Sequence, residues 1–347
     1  MRAGTGPLWR VAEDARRLET GEERRSSLRN GHLSCCRTYR AALLGRCQHS
    51  LVYRGGIATP MEQTQLRLGY HLVAFLDVLG QRERFKQLHL PKTPVQQAEV
   101  AEVLRQTAGF VLELRKTFAQ QFTTFESALT ALKAHTTDPV APKFVGFSDS
   151  FVTSVPLHSD GSPLASIATV FSALTASAVV MLTSLATKHS LRGGIDVGLA
   201  TEIGPGEIYG TALERAYLLE SKEAGYPRIV IGDELWNYLN LARSNFAAQT
   251  TPESKTITAI IDRMLLLIAV DDDGKRILDY LGPVMSELPG TKDKFKNGMI
   301  QPLYEFVVAE QLRVKELDDS KLIARYDALR KYVESRLPLW GLDVKPL

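Results

Sequence analysis

At 347 residues, with 44% hydrophobic and 23% charged side chains, the chain has an ordinary globular composition and ample material for a core. Its net charge of +3 is uneven: residues 1–60 carry 11 arginines, no lysine and five acidic residues, a net of +6, which leaves the remainder at −3. A mildly acidic body excludes the electrostatic footprint of a nucleic-acid binder.

The three cysteines, Cys35, Cys36 and Cys47, all precede residue 60. They form neither a disulfide framework nor a zinc pattern, and a body without cysteine fits the reducing cytoplasm. Residues 1–60 hold no apolar run of signal-peptide length, and their acidic residues argue against a transit peptide. Two readings stay open: a disordered Arg-rich extension, or a chain whose natural start is Met61. The expected organisation is a main folded domain over 61–310 and a C-terminal helical segment over 311–347.

The apolar run from His71 leads into Asp77 and is expected to be a buried strand over 71–78. Helical spacing of apolar residues predicts a long amphipathic helix over 94–121. KFVGFSDSFVTSV, 143–155, reads as two strands around a tight Ser148-Asp149 turn. Residues 163–188 form a second helix. Between Gly161 and Thr187 there are 27 residues without a charge, long enough to span a bilayer. Nine of them are Ser or Thr and the apolar ones are mostly small, so a buried core helix is expected, with no membrane partner. LRGGIDVGLA, 191–200, is a strand, followed by a Gly/Pro-rich connection at 203–210 and a helix over 211–225 stopped by Gly225. RIVIG is a further strand, 264–281 a hairpin turning at Asp273-Gly274, and the C-terminal stretch from Leu312 one charged helix. The order β-α-β-β-α-β is that of a ferredoxin-like α/β sandwich with a mixed sheet flanked by helices.

In that order the strand ending at Asp77 and the strand following Asp149 lie side by side, which brings two carboxylates to one edge of the sheet. Carboxylates that close repel unless a proton or cation intervenes, and with phosphate substrates the cation is Mg²⁺ or Mn²⁺. Gly80, just past Asp77, lets backbone approach a phosphate beside a helix start. Taken singly, an aspartate in a turn is a turn former.

A third segment adds weight. LRGGIDVGLATEIGPGEIYGTALERAYLLES resembles the second half of the class III nucleotidyl cyclase domain. In that register FLDVLGQ matches the family's first metal motif. KFVGFSDSF matches its second, with Ser148 in place of a glycine. The resemblance covers roughly residues 70–235, with the motifs in the family's order. It implies a homodimer with active sites shared across the interface. Asp77 and Asp149, with the backbone carbonyl of Val78, would bind two divalent cations, Mn²⁺ or Mg²⁺. Arg192 would clamp a phosphate, although an arginine there is equally an ordinary strand-edge residue.

The departures concern the rest of the pocket. Where the family's helix carries an asparagine and, four residues on, an arginine, this chain has Glu214 and Leu218; Arg215 is the nearby substitute. At the base-reading positions stand Val145 and Glu207. These changes leave two readings: a degenerate domain kept for nucleotide binding or dimerisation, or an active pocket rebuilt for another base. Retention of Asp77, Asp149 and Arg192 favours the second.

The long first helix and altered helix motif resemble the bacterial pyrimidine cyclases of the Pycsar anti-phage system. That resemblance implies cyclic UMP, or else cyclic CMP, made from the triphosphate as a signal to a cyclic-nucleotide-gated effector. Adenylate or guanylate cyclase is the nearest alternative. Asp271-Asp272-Asp273-Gly274 lacks the alternating ligands of a calcium loop, Gly204-Pro205-Gly206 is too short for a dinucleotide fingerprint, and the seven histidines form no ligand pair.

Overall fold

A computed structural model describes residues 68–86, 88–130, 140–157, 163–204, 206–288 and 295–343. The expectations for residues 1–60, and for Met61 as a start, lie outside the described residues.

The first strand, β1 (Gly69–Val78), alternates strictly. Leu72, Ala74, Leu76 and Val78 enter the main core, whereas Val73 belongs to a smaller cluster that Phe75 packs against. Asp77 continues the second series by the period of two. On one side β1 pairs antiparallel with β3 (Ser150–Pro156), which pairs antiparallel with β2 (Lys143–Phe147). On the other side it pairs antiparallel with β4 (Leu191–Gly204). The order β4-β1-β3-β2 is the ferredoxin-like arrangement expected from the sequence. Beyond β4 the sheet continues with parallel β6 (Ile229–Ile231), then antiparallel β8 (Arg276–Leu278) and β7 (Ile268–Val270), so it is mixed. A short strand, β5 (Glu207–Gly210), folds back on the end of β4.

Among the described residues the α-helices are α1 (Gln81–Lys86), α2 (Pro94–Thr130), α3 (Pro163–Ala186), α4 (Thr211–Leu218), α5 (Asp233–Ala247), α6 (Pro252–Leu265), α7 (Pro283–Ser286), α8 (Gln301–Glu316) and α9 (Ser320–Arg336). The inner sides of α2, α3, α5, α6, α8 and α9 share the main core with one face of the sheet. By length and composition α3 alone among the described helices is apolar enough to cross a membrane, yet nearly all of it is buried in this core. Three of its buried hydroxyls bond within the helix: Ser172 donates to the Ala168 carbonyl at 2.8 Å, Thr175 to Phe171 at 2.7 Å and Ser177 to Ala173 at 2.8 Å. That internal satisfaction lets an uncharged, Ser/Thr-rich helix sit inside a protein.

The opposite face carries the smaller cluster, Val73, Val152, Ala200, Ile208, Ala212 and Ala216, covered by α4 and β5. Gly194 makes this close approach possible, because a Cβ there would lie 2.4 Å from the Ala216 carbonyl oxygen.

Four local expectations change. The helix over 94–121 runs on to Thr130. The helix over 211–225 is α-helical only to Leu218 and then widens into a π-turn, Leu219–Glu223, before Gly225 at φ +64° ends it. The Gly/Pro-rich connection is largely a hairpin of β4 and β5. The C-terminal helix is two: Asp318 turns the chain at φ +52°, and the Asp319 carboxylate caps α9 by accepting the Lys321 and Leu322 amides, each at 3.0 Å. The boundary drawn at 310 falls within α8. Both α8 and α9 place apolar residues in the main core, Leu303 and Val307 from one and Leu329 and Val333 from the other.

Candidate phosphate and metal site

Asp77 sits one residue before the end of β1, where antiparallel register places it opposite Ser150 of β3 and Arg192 of β4. The Val78 amide donates to the Asp149 carbonyl at 3.2 Å, which ties the β2–β3 turn to the end of β1. The Leu79 amide donates to the Ser190 carbonyl at 2.8 Å. Gly80 adopts φ +86°, and a Cβ there would meet nothing within 4 Å, so the loop beyond Asp77 borders open space. Ser148, which replaces the glycine of the resembling motif, keeps the conformation a glycine favours, φ +55°.

A third carboxylate joins this edge. Glu220, on the π-turn and 3% exposed, places Oε1 2.5 Å from Arg192 Nε, while Arg192 Nη2 lies 3.5 Å from Asp77 Oδ2. The Arg192–Glu220 contact is an ion pair whose angles do not make an aligned hydrogen bond. Burial, then the negative charges of Glu220 and Asp149, push the Asp77 carboxyl up to about 6 against the opposing pull of Arg192. Burial also raises Glu220. Asp77 and Glu220 thus share one guanidinium, and the Asp149 charge acts on both of them, a balance that favours a proton or a cation.

Hard carboxylate and carbonyl oxygens are the donors that Mg²⁺ and Mn²⁺ prefer, so Asp77, Asp149 and the Val78 carbonyl suit such a cation. Among the described residues, no group of three or more His, Cys, Asp or Glu side chains is arranged to hold a metal on its own. Any ion here therefore relies on two carboxylates, backbone and ligand.

The fold gathers Asp77, Val78, Gly80, Asp149 and Arg192, and leaves the other candidates elsewhere. Val145, on edge strand β2, packs against the small apolar cluster. Glu207 opens β5 at the far end of β4. Glu214 is exposed on α4. Arg215 donates to the Val197 carbonyl at 3.2 Å and pairs with Glu234 of α5 at 3.5 Å. Val197 is five residues from Arg192 along β4, roughly 16 Å at ~3.3 Å per residue. Arg215 and Leu218 instead line a separate cleft of about 590 Å³ with Asp196 and the β7–β8 turn. Asp196 is buried, its carboxyl pushed up to about 6 by that burial, and it accepts the Leu235 amide at 2.8 Å at the start of α5. It caps a helix.

No protein-family model matches the chain, and no curated protein matches it. A solved structure does. The crystal structure of the adenylyl cyclase CyaB from P. aeruginosa aligns with 51% of this chain and 83% of that one, at 17% identity and a TM-score of 0.34. At that level the likeness carries no argument about activity, which must come from the site.

Glu220 is the residue that sequence reasoning missed. It lies in the LLES tail of the quoted motif, where a glutamate between a leucine and a serine on a helical turn looks like a solvated charge. Its only signal was membership of that motif; burial and pairing with Arg192 emerge from the π-turn, which rotates it inward.

Proposed function

We propose that this protein is a nucleotidyl cyclase that converts a pyrimidine nucleoside triphosphate, UTP before CTP, into its 3′,5′-cyclic monophosphate and pyrophosphate. The observation that carries this reading is the convergence of Asp77 and Glu220 on Arg192, with Asp149 beside Asp77 and the open Gly80 loop next to them. In the reaction the ribose 3′-hydroxyl loses its proton to solvent, its oxygen bonds to the α-phosphorus, the bond from that phosphorus to the bridging oxygen breaks, and pyrophosphate leaves. Mn²⁺ or Mg²⁺, when bound, supplies charge neutralisation at the triphosphate and acidifies the attacking hydroxyl. Asp77 and Asp149 hold the cations with the Val78 carbonyl. Arg192 offers its guanidinium to the phosphates, and Gly80 gives them clearance. Choice of a pyrimidine rests on the sequence resemblance alone.

The reading includes a homodimer. In one chain Arg215 is held by Glu234 and at the Val197 carbonyl, five residues along β4 from Arg192, and a two-fold partner is the means of joining the two halves. Exposed Ile203, Tyr209, Tyr217 and Leu218 on the β4–β5 hairpin and α4 support such self-association. The setting is cytoplasmic, in anti-phage defence, with the cyclic product opening or activating a separate effector. A second reading, a nucleotide-binding module without turnover, is favoured by Leu218, which cannot stabilise developing charge, and by the engagement of Arg215 with Glu234. Incubation with ATP, GTP, CTP and UTP plus Mn²⁺, with identification of the products, separates the two. A cyclic pyrimidine nucleotide supports the proposal, a cyclic purine nucleotide corrects the base, and no product with any of the four sinks the catalytic reading.

A further inference from the structure

The loop behind Asp77 is tied to the far end of the chain. The Leu79 amide donates to the Ser190 carbonyl at 2.8 Å, and the Ser190 hydroxyl meets the Tyr326 hydroxyl of α9 at 2.9 Å. Ser190 is 5% exposed, and its contact with half-buried Tyr326 is part-buried. Glu310 and Arg313 of α8 act electrostatically on Tyr326 and pair with each other at 2.8 Å.

The segment carrying Ser190 is held firmly from the other side as well. Lys188 turns at φ +65°, the Ser184 hydroxyl donates to the His189 carbonyl at 2.9 Å, and the His189 ring stacks on Phe110 of α2 with centroids 3.7 Å apart. A single turn thus joins α2, the C-terminal helices and the backbone that follows Asp77.

We propose that Tyr326 is a positioning residue: through Ser190 it holds the Leu79–Gly80 loop in place, so the C-terminal helical pair α8–α9 sets the geometry of the phosphate end of the site. This consequence for the site rests on the catalytic reading above, whereas the restraint on the loop does not. The arrangement gives the C-terminal helices a task beyond covering the core.

The test compares Tyr326→Phe and Ser190→Ala with Tyr304→Phe, each in the full chain. The control removes another hydroxyl of the same helical pair, one that meets Glu334 at 3.0 Å and does not touch Ser190. Hydrogen exchange at the Leu79 amide is expected to rise about fivefold in Tyr326→Phe and in Ser190→Ala, the scale of one lost hydrogen bond, and to stay unchanged in Tyr304→Phe. The double variant is expected to exchange no faster than either single, since both act through one contact. In the turnover assay the same two variants are expected to need several-fold more Mn²⁺ for half-activation. Unchanged exchange at Leu79, or an equal rise in Tyr304→Phe, overturns the proposal. Loosened exchange with unaltered Mn²⁺ dependence overturns its extension to the site. Absence of turnover in the unmodified protein sinks the catalytic reading and leaves the exchange result to decide the restraint.

Discussion

Asp77 and Arg192 are register partners across β1 and β4, and their side chains approach to 3.5 Å at the end of both strands. The pairing does not neutralise Asp77, because the same guanidinium lies 2.5 Å from the buried Glu220. Burial and two neighbouring carboxylates outweigh one shared cation, so the Asp77 carboxyl rises to about 6.

That rise has a defined sign in stability. An acid whose folded-state pKa exceeds its unfolded value binds its proton more tightly in the folded protein. Its favourable contribution is present below about 4 and is lost as pH rises through about 6. Cation-free protein is therefore expected to melt at a lower temperature at pH 7 than at pH 5. Asp77→Asn should flatten part of that dependence, on the order of 1–2 kcal/mol at pH 7, the remainder tracking Asp196 and Glu220. Mn²⁺ should raise the pH 7 melting temperature of the parent and not of Asp77→Asn. Scanning calorimetry at both pH values is the measurement, and an equal Mn²⁺ response in the two proteins would count against a cation on Asp77.

Replacement of Asp77 or Asp149 by alanine is expected to abolish nucleotide turnover, a loss of at least a thousandfold, while circular dichroism stays that of the parent. Retained turnover in both variants would dispose of the two-carboxylate assignment.

The proposed sharing of the site between two protomers predicts complementation. Asp77→Ala and Arg215→Ala homodimers are each expected to be weak or inactive, and mixed dimers of the two to regain activity at one of their two composite sites. Mixing the purified variants and assaying cyclic product reads this directly; no gain in confirmed mixed dimers argues for a site complete within one chain.

Glu220→Ala leaves Arg192 without its buried partner and is expected to destabilise the protein by about 2–3 kcal/mol, seen as a lower midpoint in urea. Ser148→Gly acts in the opposite direction. It relieves a left-handed backbone position and is expected to stabilise by roughly 0.5–1 kcal/mol, after allowing for the unfolded-state entropy of glycine. A destabilised Ser148→Gly would mean that the serine hydroxyl does something for the turn that its backbone angle does not reveal.

Much of the fold was legible in the residues. Period-two alternation in β1 and the uncharged run of α3 named the core strand and its helix, and the order of elements carried the ferredoxin-like arrangement. The β5 strand, the split of α8 from α9 and the π-turn at Leu219–Glu223 were not legible. Short strands and turns depend on a neighbour for their hydrogen bonds, and a π-turn differs from an α-helix by one residue of register that propensity does not encode. At the candidate site Asp77, Asp149, Gly80 and Arg192 were named from the sequence because they fall in the motifs that resemble the cyclase domain. Glu220 was not, because helical periodicity gives no sign of which side of a widened turn faces inward.

By itself, then, the sequence determined the alternation that makes β1 a central strand and sets Asp77 at its end, since local backbone geometry and burial are written in residue order. Tertiary structure alone decided which charges meet: that Arg192 is shared between Asp77 and Glu220, that Arg215 turns to Glu234, and that Tyr326 reaches Ser190 from 136 residues away. Those encounters depend on how sheet and helices pack against one another, and electrostatic balance in a half-buried site follows from that packing rather than from spacing along the chain.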